Sequence, residues 1–239
     1  MLLKILLIIT ALIAFSLIAL YLKNLRAARE TNKIRHSLET NPSNSIFTTE
    51  MVAELPQPVQ RYFLLAIEPG THVAQSVKLK MSGSFRLSPD KPWLPMQAEQ
   101  IISAFKGFVW KAEIGSGLMK FIGSDYCFNN FARMQFSIWG IIPVVNAHNQ
   151  DITRSAIGRF TGESFWLPSA LLPQNNVNWQ AIDDNTIEAS MKVDGEPITL
   201  TFTIDSNGKL LKMSVLRWGD QTEDGSYTHI PFGGEVLEE

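Results

Sequence analysis

Cysteine is almost absent from this chain of 239 residues, whose single cysteine is Cys127. One thiol excludes a disulfide framework and also a zinc site built on paired thiolates. The histidines His36, His72, His148 and His229 lie far apart in the sequence and show no metal-ligand spacing. The sequence also has no glycine-rich phosphate-binding loop. We therefore predict neither a metal nor a cofactor.

Recognisable catalytic motifs are also lacking. The stretch from Thr161 to Trp166 superficially resembles the nucleophile elbow of hydrolases, but Trp166 stands where that motif requires its second glycine. Its serine, Ser164, lies in a helical pattern rather than at the required strand-to-helix turn. Cys127 falls in a predicted strand, where a small core residue is the expected role. The motifs therefore indicate no catalytic residue.

Positive charge is scarce outside the N-terminal segment. The first 35 residues carry six Lys or Arg and one Glu, which gives a net charge of +5. Residues 36–239 carry 15 Lys or Arg against 22 Asp or Glu, which gives a net charge of −7. Nucleic acids bind to clustered positive charge, which this acidic body does not have. We therefore predict no binding to nucleic acid.

The N-terminal segment contains a long apolar run, residues 5–22, which carries no charge. As a helix this run is about 27 Å long, close to the thickness of the hydrocarbon core of a bilayer. The run is longer than the apolar region of a cleavable signal peptide, and basic residues follow it at once. We therefore predict that residues 1–24 are a retained transmembrane anchor. This makes the chain a single-pass protein of the cell membrane, with membrane lipids among its partners.

Residues 25–47 are predicted to form a basic juxtamembrane segment and a linker. The basic part is attracted to anionic lipid headgroups, and the part from His36 onward is rich in Ser, Asn and Thr. The side of the membrane on which the body lies stays open. Positive charge after the span favours a cytoplasmic body, whereas a short N-terminal segment with Lys4 also suits an exported body.

Residues 48–239 are predicted to form a single domain. Apolar residues recur with helical spacing over residues 59–67 and 151–166, and a further short turn extends to residue 172. Elsewhere, from Val73 onward, they alternate with polar residues in long strands joined by short turns. We therefore predict an α+β fold, in which the N-terminal transmembrane helix precedes a curved antiparallel sheet, an open half-barrel. The helical regions would cover its apolar concave face.

A charged helix supplies the first candidate site residues. Arg159 and Glu163 are four residues apart and share one helix face, and Trp166 follows three residues later. A pair at this spacing is ordinarily an exposed ion pair. We instead predict a buried pair, because the Trp-Leu-Pro sequence that follows indicates a segment packed inward. The expected partner on the sheet is Glu99 or Asp125.

Tryptophan residues supply another candidate. In a sheet with one apolar face most tryptophans belong to the core, but so large an aromatic area also suits an apolar ligand. Trp110 lies in the alternating strand segment FVWKAEI, at 108–114, and we take it as a ligand-binding candidate.

Several segments resemble the motifs of one family. LPQPVQRYF at 55–63 and RSAIGRFTGESFWLPSALLP at 154–173 resemble the patterns LPxPVxRY and RxLxExxWxPxALLP of an uncharacterised bacterial and archaeal family of membrane-anchored domains. That family has no assigned activity, so the resemblance supplies no catalytic residue. It also implies a C-terminal truncation of the sheet, because the family continues beyond the ending FGGEVLEE. The positions that the resemblance picks out are Pro56, Pro58, Arg61, Tyr62, Arg159, Glu163, Trp166 and Pro168.

At the level of fold alone, the predicted sheet is similar to the LolA/LolB-type lipoprotein carriers. The anchor, the long strands with one apolar face, the aromatic content and the lack of catalytic groups favour a membrane-anchored domain that binds an apolar or amphiphilic ligand, such as a lipid or a lipidated molecule. One alternative is a membrane-proximal hydrolase, with Glu163 or Asp125 as the general base. Another is a scaffold that assembles with other envelope proteins, although the sequence identifies no protein partner. The expected ligand-binding residues are Arg61, Tyr62, Trp110, Arg159, Glu163 and Trp166.

Overall fold

The computed structural model describes residues 1–104 and 106–237. Its helices are α1 (Leu2–Leu38), α2 (Gln57–Ala66) and α3 (Gln150–Gly162). The strands of a first sheet are β1 (Ser76–Phe85), β2 (Leu94–Ser103), β3 (Gly107–Ile114), β4 (Phe121–Phe128), β5 (Phe131–Ile138) and β6 (Ile142–Ala147). The strands of a second sheet are β7 (Asn178–Ala181), β8 (Thr186–Val193), β9 (Glu196–Ile204), β10 (Leu210–Gly219) and β11 (Thr228–Glu235). Short 3-10 turns occupy Thr49–Met51, Gly117–Met119, Glu163–Trp166, Pro168–Leu171 and Pro173–Asn175.

Both sheets are antiparallel meanders, in which each strand pairs with the next strand along the chain. The predicted α+β fold, with an N-terminal apolar helix and antiparallel strands, is therefore confirmed. Where the sequence predicted one curved sheet, the strands form two separate sheets, of six and five strands. The physical reason lies between β6 and β7, where residues 150–175 form α3 and three 3-10 turns and so interrupt the strand pairing.

The two faces of the first sheet are covered by different helices. The inner face carries residues of the main core, including Phe108 and Trp110, and it faces α3. The outer face carries Ile101, Val109 and Tyr126, which form a second and smaller apolar cluster against α1. Alternate residues of each strand therefore contact one helix or the other, as the two-residue period of a strand requires.

Helix α1 continues from the apolar run into the basic segment and ends at Leu38. Residues 1–41 contain no Pro or Gly that would interrupt it. Its first part, residues 2–22, is exposed and is long and apolar enough to span a membrane. Its second part lies on the outer face, where Thr31 and Leu38 are buried. Residues 25–38, which we predicted as part of a juxtamembrane segment and linker, therefore belong to a continuous helix packed on the domain.

Helix α3 lies between the two sheets. Phe160 stacks on Phe108 of the first sheet, with 6.3 Å between the ring centroids. On the opposite side, Gly158 faces β10 so closely that a Cβ at this position would lie 2.9 Å from the Cβ of Arg217. Glycine therefore permits a close approach of helix and sheet that any larger residue would prevent.

Candidate functional site

Arg159 is the centre of a buried group of polar side chains between α3 and the first sheet. Its Nε donates a hydrogen bond to Oε1 of Glu163 at 2.9 Å, and its Nη1 donates to Oδ2 of Asp125 at 2.8 Å. Nε2 of Gln100 donates to Oε2 of Glu163. The side chains of Arg159, Asp125 and Glu163 are only 17%, 12% and 15% exposed. We call Gln100, Asp125, Arg159 and Glu163 the α3 cluster.

The strand register aligns the sheet residues of the α3 cluster in one row. Gln100 of β2 is paired with Trp110 of β3, and Trp110 is paired with Asp125 of β4. The guanidinium of Arg159 lies over this row, 4.9 Å from the centroid of the Trp110 ring and 5.2 Å from that of Phe108. Its charge is therefore shared between two carboxylates and two aromatic rings.

Burial determines the ionisation of the α3 cluster. It raises the pKa of the Asp125 carboxyl, because the attraction of the neighbouring Arg159 is smaller than the cost of desolvation. Burial acts to lower the pKa of Arg159, but the carboxylates of Glu163 and Asp125 outweigh it, so that this pKa is raised. Arg217, on β10, has a lowered pKa because of burial and then because of the positive charge of Arg159. The positive charge of the α3 cluster therefore acts on Arg217 of the second sheet as well as on the two carboxyl groups.

This geometry suits attachment of α3 better than proton transfer. Both carboxylate oxygens of Glu163 accept hydrogen bonds, and Oδ2 of Asp125 accepts another. A general base must lie within hydrogen-bond reach of the proton that it abstracts, whereas the side chains of Asp125 and Glu163 are only 12% and 15% exposed. These carboxylates instead compensate Arg159, which would otherwise be a buried and unpaired charge.

The structure brings together three of the predicted site residues, Trp110, Arg159 and Glu163. Trp166, which we placed on the same helix face, lies beyond the end of α3 in the 3-10 turn Glu163–Trp166. Its side chain is about half exposed, and its ring contacts that of Phe165 with 4.5 Å between centroids. The change from α-helix to 3-10 turn explains why the spacing along the sequence does not give the position of Trp166.

Arg61 and Tyr62 lie on α2, against the second sheet rather than with Arg159. The ring of Tyr62 is buried and contacts the rings of Phe63, Trp179 and Phe202 at centroid distances of 5.2–5.8 Å. Nη2 of Arg61 donates a hydrogen bond to the backbone oxygen of Asp184, in the turn between β7 and β8. The segment LPQPVQRYF therefore fastens α2 to the second sheet.

A groove that sequence reasoning missed lies between α1 and the outer face of the first sheet. It has a volume of about 250 Å³, and we call it the α1 groove. Three cationic side chains, Lys23, Lys111 and Arg133, line it, and no carboxylate of residues 1–104 and 106–237 is among its lining residues. Its apolar lining residues are Tyr21, Leu25, Ala27, Ala28, Ile122, Gly123, Gly140, Pro143 and Val145, and its other polar ones are Asn24, Ser124, Gln135, Ser137 and Asn146.

Hydrogen bonds fix the polar side chains of the α1 groove. Arg133 donates through Nε to Oδ1 of Asn146 at 2.9 Å, and Lys111 donates through Nζ to Oδ1 of Asn32 at 3.1 Å. Asn24 donates to the backbone oxygens of Gly140 and Ile141 at 3.0 and 2.9 Å. The polar side chains that line the groove are therefore held in place by the fold, and the groove lies where the apolar part of α1 ends. Little in the sequence indicated this groove, because lysine and arginine in strands of alternating polarity usually indicate only a solvent-exposed face.

No three His, Cys, Asp or Glu side chains converge to hold a metal ion within residues 1–104 and 106–237. Comparison with curated proteins and with solved structures finds no match to this chain, so the similarity to LolA/LolB-type carriers is not confirmed. The model of a family of unknown function, DUF6544, matches residues 45–239, which include both motifs that predicted an uncharacterised family. Because this match covers most of the chain, the protein belongs to the DUF6544 family.

Proposed function

We propose that this chain is a single-pass membrane protein whose domain binds an amphiphilic molecule at the membrane surface, in the α1 groove. The observation that carries the proposal is the position of the groove. It is lined by residues 21–28 of α1, at the end of the apolar run, and by the outer face of the first sheet. An amphiphile that enters it from the bilayer therefore stays at the depth of the lipid headgroups.

The continuity of α1 supports a retained anchor over a cleavable signal peptide. The apolar part passes without a break into the part that is packed on the sheet, and Asn24 is hydrogen-bonded to the β5–β6 connection. A cleavage site in this region would lie within a helix packed against the domain. A spanning helix that is packed in this way holds the domain at the bilayer surface.

The lining of the α1 groove favours an anionic headgroup. In the part of the chain that the structure describes, three cationic side chains and no carboxylate line the groove, so it attracts negative charge. Guanidinium and ammonium groups bind phosphate well. Apolar residues such as Leu25 and Val145 offer contact to the beginning of an acyl chain. Pockets for a whole drug-sized molecule measure about 300–1,000 Å³. The smaller α1 groove therefore suits the headgroup region of a lipid or of a lipidated molecule, with the rest of the ligand in the bilayer.

The test is native mass spectrometry of the full-length chain, extracted from membranes in a mild detergent. We compare the wild type with Ala28→Phe, which places a ring in the α1 groove, and with Ser37→Phe. Ser37 is an exposed residue of the same helix that does not line the groove, so it provides a matched control. We expect the wild type and Ser37→Phe to retain a bound anionic amphiphile, and Ala28→Phe to lose most of it.

Equal retention by Ala28→Phe would contradict the proposal, as would the absence of any amphiphile from all three proteins. A fixed protein partner that co-purifies without any amphiphile would support the scaffold alternative instead. A hydrolytic activity that is abolished by Glu163→Gln, with the fold intact, would favour the hydrolase alternative.

A further inference from the structure

Helix α1 leaves the domain at one particular connection of the first sheet. The side-chain amide of Asn24 donates to the backbone oxygens of Gly140 and Ile141, in the connection between β5 and β6. Leu22, the last residue of the apolar run, precedes Asn24 by two residues. The β5–β6 connection therefore lies where the apolar part of α1 begins to project from the domain.

A second connection lies beside the first. The backbone N–H of Trp139 donates to the backbone oxygen of Lys120 at 2.9 Å, and its indole Nε1 donates to that of Gly117 at 2.9 Å. These bonds join the β5–β6 connection to the 3-10 turn Gly117–Met119, which links β3 to β4. In the antiparallel meander both connections lie at the same end of the sheet.

The two connections expose large apolar side chains. Leu118, Met119, Trp139 and Ile142 are between 42% and 78% exposed. We call these four residues the loop patch. Single exposed apolar residues are common, but here four occur on two adjoining connections, next to a helix that is apolar enough to span a membrane.

The composition of the loop patch matches the interfacial region of a bilayer. Tryptophan is enriched at that depth because its ring is apolar while its N–H is polar, and in Trp139 the N–H is already bonded within the protein. Lys120 follows Met119 directly, and Lys23 follows the apolar run of α1. Both can place an ammonium group among headgroups while the neighbouring apolar side chains enter the upper acyl region.

We propose that the loop patch inserts into the interfacial region of the bilayer that α1 spans, so that the domain contacts the membrane at a second point. The proposal rests on the spanning anchor of the proposed function, but it does not depend on the α1 groove or on its ligand. With α1 as the only attachment, the orientation of the domain would follow the tilt of this helix in the bilayer. A second contact on the same side of the sheet fixes its orientation.

The test uses single cysteine variants of the full-length chain, labelled with an environment-sensitive fluorophore and reconstituted into vesicles of phosphatidylcholine and phosphatidylglycerol. The native Cys127 does not compete for the label, because its side chain is buried and burial raises the pKa of its thiol to about 12. The test positions are Leu118→Cys and Ile142→Cys. Leu216→Cys, at a position 61% exposed on the second sheet, is the matched control, and Ile9→Cys reports on the anchor.

Quenching is measured with lipids that carry a quencher on the acyl chain and, separately, with iodide in the aqueous phase. We expect the labels at Leu118 and Ile142 to be quenched several-fold more by the lipid quencher than the label at Leu216, and less than the label at Ile9. Iodide should quench the label at Leu216 most strongly.

Three results would overturn the proposal. The first is lipid quenching at Leu118 and Ile142 that equals that at Leu216 while Ile9 is strongly quenched. This result would be consistent with the membrane-spanning anchor and would contradict only the second contact with the bilayer. The second is protection of the loop patch from both quenchers, which indicates that protein, such as a second copy of the chain, covers it. The third is a label at Ile9 that the lipid quencher does not quench. This result would show that the apolar part of α1 does not lie in the bilayer.

Discussion

Arg159 of α3 and Asp125 of β4 are joined by a hydrogen-bonded ion pair of 2.8 Å, although 34 residues separate them in the sequence. Arg159 is also bonded to Glu163, so one guanidinium compensates two carboxyl groups in a mostly buried position. Such a pair stabilises the native state little in comparison with an apolar replacement of both partners. The loss of one partner alone strongly destabilises the folded state, because it leaves the other as an uncompensated buried charge.

The first prediction concerns the removal of this guanidinium. We expect Arg159→Met to lower the free energy of unfolding by about 3–5 kcal/mol, because Asp125 and Glu163 remain buried without their partner. Urea denaturation in mild detergent measures the change. The control is Arg154→Met, which removes the ion pair of the same helix with Glu196. That pair is bidentate and the guanidinium also lies over the ring of Trp218, but the side chains are more exposed, at 28% and 25%. We therefore expect a smaller loss, of about 1–2 kcal/mol. Equal losses in the two variants would contradict the buried role of Arg159.

The second prediction concerns the pH dependence of stability. Burial raises the pKa of Asp125 above its ordinary value of 3.8, even though Arg159 is adjacent and acts in the opposite direction. The folded state therefore binds a proton to Asp125 more tightly than the unfolded state does. The stability that Asp125 contributes through this proton is fully present at a pH below its pKa in the unfolded state. It is lost as the pH rises through the higher pKa of the folded state. The stability of the wild type relative to Asp125→Asn should accordingly fall as the pH rises above about 4.

An exposed aspartate provides a control of opposite sign. The hydrogen bond from Ser88, together with Lys91, lowers the pKa of Asp90. Its contribution is therefore present above the unfolded pKa and lost as the pH falls. The stability of the wild type relative to Asp90→Asn should therefore rise slightly as the pH increases towards about 4 and stay constant above it, where the stability relative to Asp125→Asn falls. If the stability of the wild type relative to Asp125→Asn also rose with increasing pH, the assignment of the raised pKa to Asp125 would be wrong.

The sequence was informative about local structure because strand periodicity is a local property. The alternation around FVWKAEI correctly placed Phe108 and Trp110 on one face of a strand and Val109 on the other. The division into two sheets was not predictable in this way. Alternation determines which residues share a face, but it does not determine which strands pair after an interruption such as α3.

The α3 cluster shows the same limit. The spacing of Arg159 and Glu163 predicted a pair, and the sequence left Glu99 and Asp125 as possible partners on the sheet. The structure distinguishes them by strand phase: Gln100 and Asp125 face α3, whereas Glu99 lies on the outer face, where its Oε2 is 3.6 Å from Nη2 of Arg35. A residue on a strand contacts one layer or the other according to the register, which a single sequence does not fix.

The last prediction concerns the two parts of α1, which the sequence divided between an anchor, residues 1–24, and a basic juxtamembrane segment with a linker, residues 25–47. Leu38 is fully buried against Ile101 and Val109, which are themselves fully or almost fully buried. A chain that begins at residue 23 loses the apolar part but keeps this contact, so we expect it to be soluble and folded. A chain that begins at residue 40 exposes the apolar cluster of the outer face, and we expect it to aggregate or to unfold at a markedly lower temperature. Size-exclusion chromatography and thermal denaturation of the two chains, prepared in parallel, measure the difference. Equal solubility and equal melting temperatures would show that the packing of residues 23–39 on the sheet contributes nothing to stability.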